Sequence, residues 1–226
     1  LEDADAAVAL DPDRVESLRL RAGYRSRLGD RAGALSDCER ALKIAPGDGD
    51  TYCIRGWIHI YAEEFEKAAE DAEMAVKQSS SRAGGLVLRA FANLSLGKDA
   101  EAVRDAEQAL ELNSRESTAW VVLGTASLNR GDQAAARDSC EKALRLSPGS
   151  SDAVRLRARI ELSHRNFNEA IDDATAVLAV FPRDMTMLHA RASARVRQGA
   201  FAGALEDCEK MLAINPRHAE ALILRA

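Results

Sequence analysis

Aromatic residues make up only 4% of the 226-residue chain, so any core must be assembled from Ala, Leu and other aliphatic side chains. A surplus of basic charge is also missing: 31 Lys and Arg stand against 36 Asp and Glu, for a net charge of −5. Nucleic acid calls for a basic face, so it is not an expected partner. The arginines are scattered along the chain rather than gathered in a polybasic block, which disfavours a membrane surface. No apolar run approaches the length of a membrane span, and no signal peptide is visible. Catalytic and metal signatures are missing as well. His59, His164, His189 and His218 have no second ligand at a convergent spacing, and there is no nucleophile–base pair or phosphate-binding Gly loop. No enzyme activity, cofactor or metal is expected of these residues.

What is present is a strict period. The five prolines, Pro12, Pro46, Pro148, Pro182 and Pro216, all fall in one 34-residue series, and Ser80 and Ser114 occupy its two empty slots. Counting positions 1–34 from the third residue after each slot gives six full units, 15–48, 49–82, 83–116, 117–150, 151–184 and 185–218. Residues 1–14 are then the second half of a truncated unit and 219–226 the start of a further one. Position 8 is always small (Ala22, Gly56, Ala90, Gly124, Ala158, Ala192), and position 20 is always Ala. Positions 20, 24, 27 and 28 make an amphipathic stripe, as in Ala34, Cys38, Ala41 and Leu42, which marks a helix in the second half of each unit. The first half is more densely apolar and should be covered on several sides. Gly29, Gly97, Gly131 and Gly199 at position 15 suit a left-handed turn between the two, whereas Glu63 and Arg165 there predict looser turns. The prolines end each second helix, and Asp48, Asp50, Ser151 and Asp184 are candidate caps for the next first helix. This reading gives fourteen helical segments and no strand, with a frayed cap at Gln78–Gly85 where the proline is missing.

The unit Ser117–Ser150, with Trp120-x-x-Leu123-Gly124 near its start and Pro148 near its end, resembles the tetratricopeptide repeat, a helix–turn–helix module of the same period. The resemblance covers the whole chain and implies an all-α fold: a right-handed superhelical α-solenoid of stacked helix pairs, expected as one elongated domain. One departure is position 11, where the family's aromatic residue is replaced by Arg25, His59, Asn93, Ser127, Glu161 and Arg195. Position 7 is Arg in five of the six full units and position 23 is Asp in the same five. Unit four lacks both, with Leu123 and Ser139, so the two are expected to pair within each unit. Cys38, Cys140 and Cys208 share position 24 with alanines and read as small buried side chains. They lie in units too far apart for a disulfide, and four unpaired thiols favour a reducing, cytoplasmic setting. Because the chain begins inside a unit, more sequence is expected ahead of residue 1, and the missing signal peptide carries little weight.

The resemblance also implies that positions 2, 5, 9, 12 and 13 of the first helices line a concave groove. Position 12 is apolar in five units and should pack neighbouring first helices, whereas positions 5 and 9 vary. They and their neighbours supply Cys53, Trp57, Tyr61, Val87, Phe91, Val121 and Thr125 at the centre, flanked by Arg19 and Arg27 on one side and Arg155, Arg159 and His189 on the other. An apolar, aromatic centre edged by Arg predicts a protein or peptide partner with hydrophobic anchors and acidic flanks. The family's carboxylate clamp for chaperone tails needs Asn or Arg at position 6, which here is Leu20, Ile54, Leu88, Val122, Leu156 and Ala190, so that partner is not expected. The function predicted is a non-catalytic protein-interaction scaffold. A different class, the regulatory or targeting arm of a multidomain enzyme, stays open, as does end-to-end assembly through the half-units.

Overall fold

Along Arg31–Ile44 the buried residues are Ala34, Asp37, Cys38, Ala41 and Leu42, while Ser36, Glu39, Arg40 and Lys43 are exposed. A helix with one such stripe is covered from one side. Arg82–Ser95 instead buries Gly85, Leu86, Val87, Leu88, Ala90 and Ala92, a set that needs neighbours on more than one side. The computed structural model, which describes residues 1–78 and 81–225, satisfies both demands by pairing the two kinds of helix. In chain order the helices are α1 (Glu2–Leu10), α2 (Val15–Arg27), α3 (Arg31–Ile44), α4 (Gly49–Tyr61), α5 (Phe65–Val76), α6 (Arg82–Ser95) and α7 (Asp99–Leu112). They continue as α8 (Ser117–Asn129), α9 (Gln133–Leu146), α10 (Ser151–Ser163), α11 (Phe167–Val180), α12 (Met185–Arg197), α13 (Phe201–Ile214) and α14 (Ala219–Arg225). No strand occurs among the described residues.

Contacts gather the chain into two compact units, Leu1–Leu123 and Gly124–Ala226. Within the first, the even-numbered helices form a layer in which α2 touches α4 and α4 touches α6, and the odd-numbered helices α1, α3, α5 and α7 pack on even-numbered ones. The second repeats the scheme, with α10 on α12 and α12 on α14. The even-numbered helices therefore carry most of the largest fully buried side chains, among them Leu18, Leu86, Leu88, Leu156, Ile160, Met187 and Leu188. Burying each contributes about 1.5–3 kcal/mol. The small residue at position 8 makes room for the next layer member. A Cβ at Gly56 would meet Leu88 Cδ2 at 2.3 Å, and one at Gly124 would meet Leu156 Cδ2 at 2.6 Å.

The turns are more uniform than the sequence suggests. Gly29, Gly97, Gly131 and Gly199 have φ of 73 to 82°, and Glu63 (58°) and Arg165 (65°) take the same left-handed conformation instead of a looser one. The next residue's N–H then reaches back to the position 11 carbonyl in every turn, as in Glu64 to His59 and Asn166 to Glu161, both 2.9 Å. Those bonds, with the packing on either side, hold non-Gly residues in a conformation that costs each about 1–2 kcal/mol. Glycine meets no such steric cost but loses about 0.5–1 kcal/mol in entropy. Arg165→Gly is therefore expected to stabilise the chain by up to about 1 kcal/mol in chemical denaturation, and a loss of stability would contradict the strain assigned to Arg165.

Capping also differs in detail. Asp48 and Asp184 accept hydrogen bonds from the N–H groups of Thr51 and Met187, as expected. Ser150, not Ser151, caps α10, and Asp50 lies inside α4. The Asp50 carboxylate accepts from Ser81 Oγ at 2.6 Å and from Arg19 at 2.9 Å. In the described part of the Gln78–Gly85 junction Ser81 and Gly85 are buried, while Arg82 and Gly84 are exposed. Ser79 and the proline-slot residue Ser80 lie outside the described residues.

Candidate binding site

The arginines at position 7 fold inward to the aspartates at position 23. Nε and Nη2 of Arg21, Arg55, Arg89, Arg157 and Arg191 each grip the carboxylate sixteen residues on, with Nη2 distances of 2.6–2.7 Å. The aspartates are at most 8% exposed. Their hydrogen bonds hold the guanidinium pKa of Arg21, Arg55, Arg89 and Arg157 above its ordinary value. This ladder is thus spent on the fold, as the joint loss at Leu123 and Ser139 predicts, and none of it is free for an acidic ligand.

Position 11 adds a second arm to the same aspartate. Arg25 Nη1 reaches Asp37 at 2.8 Å, Arg195 Nη1 reaches Asp207 at 2.8 Å, and Asn93 and His59 stand 3.5 and 3.9 Å from Asp105 and Asp71. Both arginines also donate to the carbonyl eight residues on, Gly33 and Gly203. His59 bonds through Nδ1 to Glu64 at 2.7 Å, and Glu64 also receives Arg31 at 2.6 Å. Those hydrogen bonds, Arg31 first, lower the Glu64 pKa to about 2. The departure from the family's aromatic is therefore a change from an apolar to a polar contact. A sequence signal was present: the Arg–Gly pairs 25/33 and 195/203 recur in register.

Of the predicted groove residues, Trp57 and Phe91 come together, with ring centroids 5.5 Å apart at an interplanar angle of 62°. Tyr61 lies 6.5 Å from Trp57 and is 74% exposed. Trp57 and Phe91 are half-buried because their inner edges pack against two clusters, one around Leu86, Ala90 and Ala106, the other around Ile60, Ala68 and Leu88. The three rings form a ledge with one wet edge on α4 and α6. Val87 and Val121 do not belong to it. Each is 4% exposed, and Val87 packs into the cluster that holds Leu86, Ala90 and Ala119. Cys53 is half-buried, and burial, reinforced by Asp50, pushes its thiol up to about 12. Cys38, Cys140 and Cys208 are at most 3% exposed, and all four thiols are free.

The flanking cations differ in availability. Arg19 bridges Asp48 and Asp50 at 3.3 and 2.9 Å. Arg155 bridges Asp152 and Asp184 at 2.7 and 2.5 Å and lies 4.7 Å above the Phe181 ring. Both are already paired with carboxylates of the chain, so an acidic group of a partner would compete with these aspartates. Arg27 is exposed, Thr125 is half-buried, and His189 lies 3.7 Å from Glu220. Arg159 donates to Asn129 Oδ1 at 3.1 Å. Sequence reasoning missed a cavity of ≈ 530 Å³ lined by Glu16, Arg19, Leu20, Tyr24 and Arg27 of α2 with Ile54 of α4. Leu20 and Tyr24, at positions 6 and 10, are 53% and 41% exposed, whereas Leu88, Val122, Leu156, Ala92, Ala126 and Ile160 at the same positions are buried. Leu88 and Ala92 lie on α6, which has α4 in front of it, whereas α2 has no preceding first helix among the described residues.

Stacked helix pairs in a 34-residue register, small residues between layers and a variable, partly aromatic face describe a helical-repeat interaction module. The chain belongs to the tetratricopeptide repeat family, whose model matches residues 92–151 and 155–222, more than half its length. It is an all-α solenoid and a protein-interaction scaffold. Among solved structures it is similar to a chain of the APC/C hetero-tetramer Cut9–Hcn1, with TM-score 0.80 and 15% identity; the match covers 98% of this chain and 44% of that one. It is also similar to a thermophilic TPR protein of Thermus thermophilus, with TM-score 0.66 and 21% identity over 80% and 99% of the two chains. YrrB, a TPR protein with an unusual peptide-binding site, gives TM-score 0.52 and 17% identity over 97% and 96%. These identities speak for the fold alone. No curated protein sequence matches the chain. No described helix is long and apolar enough to cross a membrane.

Proposed function

We propose that the chain carries six full repeats, 15–48 to 185–218, and acts as a non-catalytic scaffold that holds a peptide or helix of a partner protein against its first helices. The observation that carries this reading is the ledge of Trp57, Phe91 and Tyr61, which keeps aromatic surface at the solvent edge of a chain that has little aromatic content to spare. Such rings gain most by covering a partner's apolar anchor. YrrB, similar in fold, is described as having a peptide-binding site, which supports the choice of ligand class. The anchor would be hydrophobic and its flanks acidic.

A random peptide library selected on the wild-type chain is expected to converge on sequences with an apolar or aromatic anchor beside Asp or Glu. Tyr61→Ala removes a mainly exposed ring, so it should leave stability within about 0.5 kcal/mol. It should also weaken the selected peptides by about 2 kcal/mol, the effect of truncating an aromatic anchor. Peptides that bind Tyr61→Ala as well as the wild type would argue against the ledge.

A further inference from the structure

Arg159 stands apart from every other arginine that is buried or half-buried among the described residues. Each of the others has a carboxylate within hydrogen-bond distance. Arg159 is half-buried on α10, forms no ion pair, and spends one donor on the neutral Asn129 Oδ1 at 3.1 Å. A guanidinium offers five donors, so the rest of the fork is uncommitted. Arg155, one turn earlier on the same helix, shows the alternative: two carboxylates and a stacked ring saturate it. The surroundings of Arg159 are polar but not acidic. Thr125 lies one turn before Asn129 on α8, and on α12 Ser193 holds the register position that Arg159 holds on α10, its Oγ 3.5 Å from His189 Nε2.

Burial alone lowers the Arg159 pKa, the reverse of Arg21, Arg55, Arg89 and Arg157, where an aspartate raises it. A charge partly removed from water without a counter-ion works against folding, and among the described residues the guanidinium is bonded only to the neutral, exposed Asn129 Oδ1. A planar fork held by a neutral acceptor and open on its other donors matches a carboxylate in a bidentate grip.

We propose that Arg159, steadied by Asn129, is the receptor for a carboxylate of the bound partner, supplied by an Asp or Glu side chain or by the partner's C-terminus. The assignment rests on the scaffold reading and sharpens it. Of the flanking arginines, Arg159 takes the acidic group, while Arg19 and Arg155 stay with their own aspartates.

The test needs no natural partner. Arginine Nε–H signals of the full chain are followed by NMR while sodium acetate replaces sodium chloride at constant ionic strength. The Arg159 signal is expected to shift and saturate with acetate, while that of Arg157, held by Asp173, stays in place. Arg159→Gln should weaken acetate binding about ten-fold, as loss of a charge-assisted hydrogen bond implies. Its melting temperature should be unchanged or higher, because an uncompensated charge has been removed. A signal that moves equally in chloride, or a variant that melts lower, overturns the proposal, the latter by giving Arg159 a role in the fold. Tighter binding of inorganic phosphate than of acetate also overturns the carboxylate assignment. N-acetyl-aspartate amide and N-acetyl-alanine then separate the two sources: the tighter one identifies a side chain or a C-terminus. The titration reads Arg159 without the aromatic ledge, so it can fail while the Tyr61 experiment succeeds.

Discussion

Asp207→Ala is expected to destabilise the chain by about 3–5 kcal/mol, the range found when one member of a buried ion pair is removed. Asp207 is 0% exposed and receives Arg191 Nε at 3.0 Å, Arg191 Nη2 at 2.7 Å and Arg195 Nη1 at 2.8 Å. Removing the carboxylate leaves two guanidinium groups facing each other in a site where Arg191 is 8% exposed. Thr175 Oγ1 and the Gly203 carbonyl still accept from them, but neither carries charge. The effect should therefore exceed that of losing an ordinary hydrogen bond, about 1 kcal/mol. The fourth repeat contains its own remedy, because it replaces all three members at once with Leu123, Ser127 and Ser139. The triple variant Arg191→Leu, Arg195→Ser, Asp207→Ser copies that solution and should recover most of the loss, since apolar replacement of a whole buried pair is often close to neutral. Urea denaturation checks both. A midpoint for Asp207→Ala that implies less than about 1 kcal/mol, or a triple variant as weak as the single, would show that the network contributes little.

The period, the helix pairs and the Arg–Asp pairs were legible because each repeat is an independent reading of one local pattern. Six copies of position 20 as Ala, or a paired absence at Leu123 and Ser139, state a packing rule that one copy could not. What resisted reading depends on three-dimensional neighbours. Glu63 and Arg165 look like poor left-handed residues, yet the hydrogen bonds and packing on either side of the turn hold them there. Position 11 looked like a lost aromatic because the comparison was with apolar packing, whereas Arg25 and Arg195 had become partners of the buried aspartate. Val87 and Val121 vary in the way recognition residues vary, but each is 4% exposed and offers little surface to a partner. Arg19, Arg155 and Arg159 are the same letter in sequence. Only distances separate two that are paired with carboxylates from one that is not.

The same dependence on neighbours changes what truncation of the ledge should do. If Trp57 and Phe91 stood on a fully water-facing wall, removing both would spare the fold and lose only the partner. Each packs instead against two core clusters and against the other ring, at 5.5 Å and 62°. Fully buried aromatics cost about 3–5 kcal/mol when cut to Ala. For these half-buried rings a loss of about 2–3 kcal/mol each is expected. An edge-to-face pair adds about 0.5–1.5 kcal/mol that either single variant removes, so the double variant should fall short of the sum by that amount. Hydrogen exchange locates the damage: protection should drop first in α4 and α6, whose facing sides lose their filling. Binding of library-selected peptides should be lost in Trp57→Ala but largely kept in Trp57→Phe, which preserves an aromatic against both clusters. Single variants that melt like the wild type would place both rings outside the core. A Trp57→Ala chain that still binds the selected peptides at wild-type strength would remove them from the site.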